Sequence, residues 1–156
     1  RRLQVFYDRG SDFSETDSAV YPMARSGLDL CIAVPDDVHR LRLDPGEAAG
    51  GLILKKLTFE NGKEAVFTSN GFSMGADRYY FGGGDPQFVL ENLPENAGKL
   101  HIEIEVMKET EAQDAFWKSF SRIASEKDQE IQRLHRQIHE MENTKAWKLY
   151  RSIKKK

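Results

Sequence analysis

Glycine and proline are confined to the first two thirds of this chain. All 12 glycines and all 5 prolines precede Lys108, and neither residue occurs from there to Lys156. Both residues are common in the turns between strands, whereas each destabilises the interior of a helix. The distribution therefore predicts a turn-rich β domain over residues 1–107, followed by an uninterrupted helix over residues 108–156.

The net charge changes at the same boundary. Residues 1–107 carry 11 basic and 17 acidic side chains, net −6, and residues 108–156 carry 12 basic and 8 acidic, net +4, which sum to the overall −2. This balance gives no indication of a nucleic-acid partner.

Apolar residues make up 39% of the chain, which argues against global disorder. No apolar run approaches the roughly 18 residues that a transmembrane helix needs.

Short β-prone runs separated by turn signals fill the first part. Residues 100–106 alternate apolar and polar side chains, which is typical of a strand with one buried face, and Asn61-Gly62 is a strong hairpin signal. No stretch between the runs has the length and period of a crossover helix, so a parallel sheet is not expected. The fold class is therefore mainly β with a long C-terminal helix, and the β part is an antiparallel, jelly-roll-like sandwich. The predicted strands are residues 3–7, 28–34, 39–43, 52–59, 65–67, 78–81, 87–90 and 100–106.

The helical part carries a heptad pattern. Four apolar residues follow each other at spacings of three and four, at the a and d positions of a coiled coil: Ile131, Leu134, Ile138 and Met141. Ile at a with Leu at d favours a parallel dimer, with a trimer as the next choice, although Lys127 and Lys145 interrupt the pattern. The alternative is a helix that packs on its own β domain, through Phe116, Trp117, Phe120 and Ile123.

Candidate chemical sites are sparse. Cys31 is the single cysteine, so an internal disulfide and a multi-cysteine zinc site are excluded, and no nucleophile motif is present. His135 and His139 lack the further residues of a metal site on a helix, so no metal and no catalytic residue are expected. One early loop could hold a structural calcium ion, through Asp8, Asp12, Glu15 and Asp17. No other cofactor is predicted.

Aromatic and hydrogen-bonding residues are interleaved in the loops and strand ends of the β part. A flat ring beside planar polar groups suits a sugar, whose C–H face stacks while its hydroxyls are bonded. We therefore predict a glycan site formed by Asp12, Phe13, Tyr21, Arg42, Arg78, Tyr79 and Tyr80. The alternative is that these rings fill the core.

The C-terminal tail combines rings and positive charge. Six basic residues and no acidic residue lie between Asn143 and Lys156. A helix of this kind can lie on an anionic membrane surface, and the residues expected to contact it are Trp147, Lys148, Tyr150 and Arg151. The alternative is a solvated helix end or a junction to further sequence.

Three segments resemble a known class of protein. The sequences LQVFYDRGSDFSE (3–15), LRLDP (41–45) and ENTKAWKL (142–149) are similar to accessory regions of large bacterial glycosyltransferases that build surface polysaccharides such as O-antigen, capsule or rhamnan. In such proteins a β-sandwich similar to carbohydrate-binding modules, followed by a coiled coil, flanks the transferase domain. No Asp-x-Asp nucleotide-sugar signature is present, so the resemblance does not assign transferase activity to this chain.

The resemblance implies a non-catalytic module that binds glycan or nascent polysaccharide, or that positions a catalytic domain. The competing interpretation is a purely structural segment for dimerisation and spacing, without a ligand. The chain begins at Arg1 without an initiator Met, which suggests a segment of a longer protein. We expect it in the cytoplasm, peripheral to the inner face of the bacterial plasma membrane.

Overall fold

The computed structural model describes residues 1–46 and 50–154, without the side chains of residues 145–147, 151 and 154. The described chain forms two compact units, Arg1–Trp117 and Lys118–Lys156. The first contains the strands and the beginning of the long helix, and the second contains the remainder of the helical part.

Ten strands and a short 3-10 helix (Glu15–Asp17) precede two α-helices in the described residues. The strands are β1 (Arg2–Asp8), β2 (Ser18–Pro22), β3 (Gly27–Val34), β4 (Arg40–Pro45), β5 (Gly50–Phe59), β6 (Thr68–Ser69), β7 (Phe72–Gly75), β8 (Arg78–Phe81), β9 (Phe88–Leu90) and β10 (Gly98–Val106). The helices are α1 (Glu109–Asn143) and α2 (Lys145–Lys154).

The strands form two antiparallel sheets of five strands each. The first sheet has the order β2-β1-β4-β9-β6, and the second has the order β3-β10-β5-β8-β7. Alternate residues of the central strands point into a shared core, which includes Leu3, Leu41 and Leu43 of the first sheet and Leu100 and Ile102 of the second, all without solvent exposure. Burying each such side chain contributes about 1.5–3 kcal/mol to folding. The mainly β fold with a long C-terminal helix is thus confirmed.

The predicted strands and the observed strands differ at the sheet edges. The sequence does not predict β2 and β7, since both are short and lack a fully alternating pattern. The Asn61-Gly62 turn forms, with the Gly62 N–H donating to the Phe59 carbonyl at 2.9 Å. The strand predicted at 65–67 does not form, and β6 follows it instead. This segment bonds to β5 only locally, through the Ala65 N–H to the Leu57 carbonyl at 2.8 Å, and Phe67 packs on the Phe88 ring with 5.5 Å between ring centroids.

The first turns of α1 belong to the unit that contains the sheets. Ala112 is fully buried against Gly51, where an added Cβ would lie 2.6 Å from the Ala112 Cβ. The Phe116 ring packs on Tyr80 and Phe72, with centroid distances of 4.6 and 5.1 Å. The packing of Phe116 thus agrees with the alternative of a helix resting on its own domain. The compact unit consequently extends to Trp117, beyond the end of β10.

The helical part is interrupted once, contrary to the expectation of one uninterrupted helix. At Thr144 both the backbone N–H and the side-chain hydroxyl donate to the Met141 carbonyl, at 3.1 and 2.7 Å. A bond to the residue three positions earlier makes a tighter turn than that of an α-helix, and α2 then begins at Lys145. Neither helix, as far as its residues are described, combines the length and apolar content of a membrane span.

Candidate functional site

The seven residues predicted to bind glycan do not form one patch. Asp12, Phe13 and Arg42 come together on the outer face of the first sheet, whereas the two tyrosines of β8 pack elsewhere. The structure therefore brings three of the seven predicted residues together and places the other four apart from them.

Tyr79 and Tyr80 are separated by the geometry of their strand. Successive residues of a strand point to opposite faces, so two neighbouring tyrosines cannot share one surface. Tyr79 packs edge-on against the core residue Phe88, at 5.2 Å between centroids, and Tyr80 packs against Phe116 of α1. Both rings thus serve packing. Arg78, at the start of β8, lies opposite Ile53 of β5 in the second sheet.

Tyr21 lies on the inner side of β2. Its register partner in β1 is the buried Leu3, and its side chain packs on the core. Burial, together with a hydrogen bond to Tyr21, raises the pKa of Tyr7 well above its usual range. The two tyrosines therefore form a hydrogen-bonded pair at the core margin, separate from the outer face.

The outer face of the first sheet is organised by two arginines of β4. We call Phe6, Asp8, Phe13, Arg40, Arg42 and Asp44 the arginine face. The Arg42 guanidinium lies 4.0 Å from the centroid of Phe6 and 5.3 Å from that of Phe13. It donates two hydrogen bonds to the Asp44 carboxylate, at 3.0 and 2.9 Å. Stacking and bidentate pairing fix the guanidinium plane.

Arg40 ties the loop after β1 to the same face. Its guanidinium donates to Asp8 at 2.6 Å and to Asp12 at 2.9 Å, and it lies 4.9 Å from the centroid of Phe13. Asp12 adopts a left-handed backbone conformation, with φ of 73°. The loop therefore folds back so that the Phe13 ring lies next to both arginines.

Asp8 is the buried carboxylate of this arrangement, with 3% exposure. It accepts hydrogen bonds from the backbone N–H groups of Gly10 and Asp12, at 2.8 and 2.9 Å. The Gly10 N–H, followed by Arg40, lowers the pKa of Asp8 below its usual value. The carboxylate is thus ionised at neutral pH and holds the turn in place.

Asp44 has the opposite electrostatic balance. Burial raises the pKa of the Asp44 carboxyl and outweighs the lowering effect of Arg42, and the charges of Asp85 and Glu15 act in the same direction as burial. The arginine face therefore contains one carboxyl group with a lowered pKa, that of Asp8, and one with a raised pKa, that of Asp44.

The four acidic residues proposed for calcium bond to three separate side chains. Asp8 and Asp12 pair with Arg40, Asp17 pairs with Arg9 at 2.8 Å, and Glu15 accepts a hydrogen bond from Gln4 at 2.6 Å. Arg9 also bonds to Asp37. Across the part of the chain that the structure describes, no group of three or more metal-binding side chains converges.

Two grooves are lined by residues outside the arginine face. One, of about 370 Å³, is lined by β5 and the segment after it, including Lys56, Glu64 and Phe67. The other, of about 330 Å³, lies between the segment 34–39 and the segment 91–97. None of the seven predicted ligand residues lines either groove, so neither supports the predicted site.

The heptad residues of α1 are exposed. We call Ile131, Leu134, Ile138 and Met141 the seam, and their exposed fractions range from 44% at Leu134 to 65% at Met141. Charged neighbours pair along the same helix, Arg133 with Glu130 at 2.6 Å and Arg122 with Glu126 at 2.8 Å. His139 contacts Asn143 at 3.0 Å.

The tail residues are described in part. Lys148 and Tyr150 are exposed on α2, whereas the side chains of Trp147 and Arg151 lie outside the described residues. The predicted membrane contacts of those two side chains therefore have no structural account here.

Four members of the arginine face were not among the predicted glycan residues, namely Phe6, Asp8, Arg40 and Asp44. The signal for Arg40 was present, because the period-two pattern of 39–43 places Arg40 and Arg42 on one face of a strand. The signal for Phe6 was absent, since only the pairing of β1 with β4 brings it opposite Arg42.

Comparison of this chain with known protein families, with curated proteins and with solved structures gave no match.

Proposed function

We propose that this chain is a non-catalytic accessory module of a bacterial glycosyltransferase that builds a surface polysaccharide, and that it self-associates through α1. The single observation that carries the self-association is the exposed seam. The assignment to polysaccharide synthesis, on the cytoplasmic side of the membrane, rests on the resemblance of segments 3–15, 41–45 and 142–149.

The seam is narrow and isolated on its helix. From Asp128 to Glu142 the only apolar residues are the four of the seam, and every other position is polar or charged. An exposed helix without a buried apolar face is marginally stable in water. A stripe only two positions wide per heptad suits the interface of a coiled coil better than a broad docking face.

The residue types favour a parallel dimer. Ile131 and Ile138 at the a positions with Leu134 at d match the two-stranded preference. Lys127, at the d position one heptad before Leu134, favours a dimer over larger bundles, in which the ammonium group would be more deeply buried. A trimer is the next candidate.

Sedimentation equilibrium tests the assembly. We expect a dimer for the wild-type chain and a monomer for the Ile131→Lys, Ile138→Lys double variant, because two charges per helix would be buried in the interface. The matched control is Gln132→Lys with His139→Lys, which adds the same charges one residue away, on the outer side of the helix. A wild-type chain that stays monomeric at high micromolar concentration contradicts the proposal.

A second candidate function is weak binding of glycan on the arginine face. The observation that favours it is the half-exposed Phe13 ring beside two fixed guanidinium groups and the exposed Asp12 carboxylate. A stacked sugar would bond its hydroxyls to these planar groups. One stacking ring contributes about 1 kcal/mol, so affinity for one site is low and a dimer would strengthen binding to a repeating polymer.

Affinity electrophoresis in gels that contain polysaccharide fragments tests this candidate. We expect Phe13→Ala to weaken retention about fivefold, because the stacking surface is lost. The control is His101→Ala, which removes a ring from the outer face of the second sheet, where His101 bonds to Asp29 at 2.6 Å. Unchanged retention of Phe13→Ala rejects this face, and no retention of the wild-type chain favours the purely structural alternative.

The topology supports assignment of the sandwich to the jelly-roll class. Among the described strands the chain crosses between the two sheets at every connection except β1-β2 and β7-β8, and the orders β2-β1-β4-β9 and β3-β10-β5-β8 place sequence-distant strands side by side. In this assignment β1 occupies the inner position of the first sheet between β2 and β4.

A further inference from the structure

The apolar residues of α2 do not continue the seam of α1. If the heptad register of α1 continued, the next a and d positions would be Lys145 and Lys148, and a dimer interface there would bury lysines. Among the side chains of α2 that the structure describes, the exposed apolar ones are instead Leu149, Tyr150 and Ile153, with exposed fractions of 63%, 52% and 67%. They occupy the e, f and b positions of that register. The apolar stripe of α2 therefore lies outside the interface with the coiled-coil partner.

The spacing of this second stripe is that of a separate amphipathic helix. Residues 149, 150 and 153 are three and four positions apart, and residue 146 is an alanine that extends the same row by one turn. The helix break at Thr144 lies between this row and the seam.

The charge of the segment indicates what the stripe contacts. After Glu142 no acidic residue follows, whereas the sequence contains Lys145, Lys148, Arg151, Lys154, Lys155 and Lys156. A protein groove of ordinary composition would not require six positive charges and no negative one. An anionic lipid surface offers both an apolar layer for the stripe and phosphate groups for the basic residues.

We propose that α2 is an interfacial helix that lies on an anionic membrane surface, with Leu149, Tyr150 and Ile153 in the boundary layer. These residues lie outside the a and d positions of the seam. In this arrangement the module attaches to the bilayer without crossing it. This attachment is additional to the self-association through α1 and does not depend on a glycan site.

Cosedimentation of the full chain with vesicles tests the proposal. The vesicles contain either phosphatidylcholine alone or an equimolar mixture with phosphatidylglycerol. We expect binding to the anionic vesicles, weakening with added salt because the charges are screened, and little binding to the neutral ones. Removal of residues 144–156 should abolish the binding.

Point variants separate the apolar contribution from the ionic one. Leu149→Ser with Ile153→Ser should reduce partitioning by more than about tenfold, because two exposed side chains lose their apolar layer. The control is Val66→Ser, which removes an apolar side chain with 72% exposure from the sandwich unit. Lys148→Ser should reduce partitioning about fivefold, whereas Lys118→Ser in α1 should leave it unchanged.

Three outcomes would overturn the proposal. They are equal binding to neutral and anionic vesicles, equal binding of the intact and shortened chains, and unchanged binding of Leu149→Ser with Ile153→Ser. The last would identify a purely ionic contact, such as one with an anionic polymer. A dimer by sedimentation that fails to bind vesicles rejects the interfacial helix but retains self-association, so the two proposals fail independently.

Discussion

At the residue scale, the Asp8 carboxylate holds the loop after β1 in position. Its carboxylate is buried, and its hydrogen bonds come from two backbone N–H groups of that loop and from Arg40 of β4. A buried carboxylate without such partners would strongly destabilise the fold. Asp8 therefore connects the position of the loop, and of the Phe13 ring within it, to the first sheet.

The dependence of stability on pH should separate Asp8 from Asp44. The pKa of Asp8 is lower in the folded chain than its ordinary value of 3.8, so the ionised group stabilises the fold above that value. This contribution is lost as the pH falls through the folded pKa, and Asp8→Asn should make the loss of stability in acid shallower.

The pKa of Asp44 is raised on folding, so its contribution to stability is fully present below 3.8 and is lost as the pH rises through its folded pKa. Asp44→Asn should therefore change the acid dependence in the opposite direction. Urea unfolding from neutral pH into the acid range measures both effects. The same change of slope in the two variants would contradict the assignment.

At the element scale, the contact of β3 with β10 depends on Gly27. This glycine has φ of +140°, and an added Cβ would lie 2.0 Å from the Ile104 carbonyl oxygen. The backbone of β10 cannot give way easily, because Ile104 belongs to the core and pairs with Leu28. Glycine is needed here for both its conformation and its lack of a side chain.

Gly27→Ala should reduce the free energy of unfolding by at least about 2 kcal/mol, since strain and a backbone clash combine. Gly50→Ala is the matched control, because Gly50 has φ of +150° and nothing within 4 Å of its added Cβ. Gly50→Ala should reduce the free energy of unfolding by only about 1 kcal/mol, because it introduces backbone strain without a clash. Chemical denaturation measures both values. Equal losses of unfolding free energy in the two variants would show that the clash with β10 adds nothing to the effect of Gly27→Ala.

At the scale of the whole molecule, the limit of the sandwich unit is set by packing. The composition changes near residue 107, and β10 ends at Val106, but the compact unit extends to Trp117. The additional residues are included because Ala112 is buried against Gly51 and Phe116 packs on Tyr80. A helix thus begins as part of one unit and continues in the other, and the change of composition does not mark the change of packing.

The sequence by itself determined the mainly β first part with the long helix after it, the alternation of β10 and the heptad spacing on α1. These depend on local periodicity, because the period of two in residues 100–106 and the heptad spacing of the seam follow from the geometry of one strand or one helix. The break at Thr144 was not predictable in this way, since neither glycine nor proline marks it.

The tertiary structure alone decided which polar residues meet. Arg40 reaches Asp8 because β1 and β4 pair side by side, although the two residues are 32 positions apart in the sequence. Tyr79 and Tyr80 are adjacent in the sequence, yet one packs in the core and the other against α1. The physical reason is that polar residues on different strands meet only where those strands pair. Strand pairing is set by the burial of the whole core rather than by any local pattern.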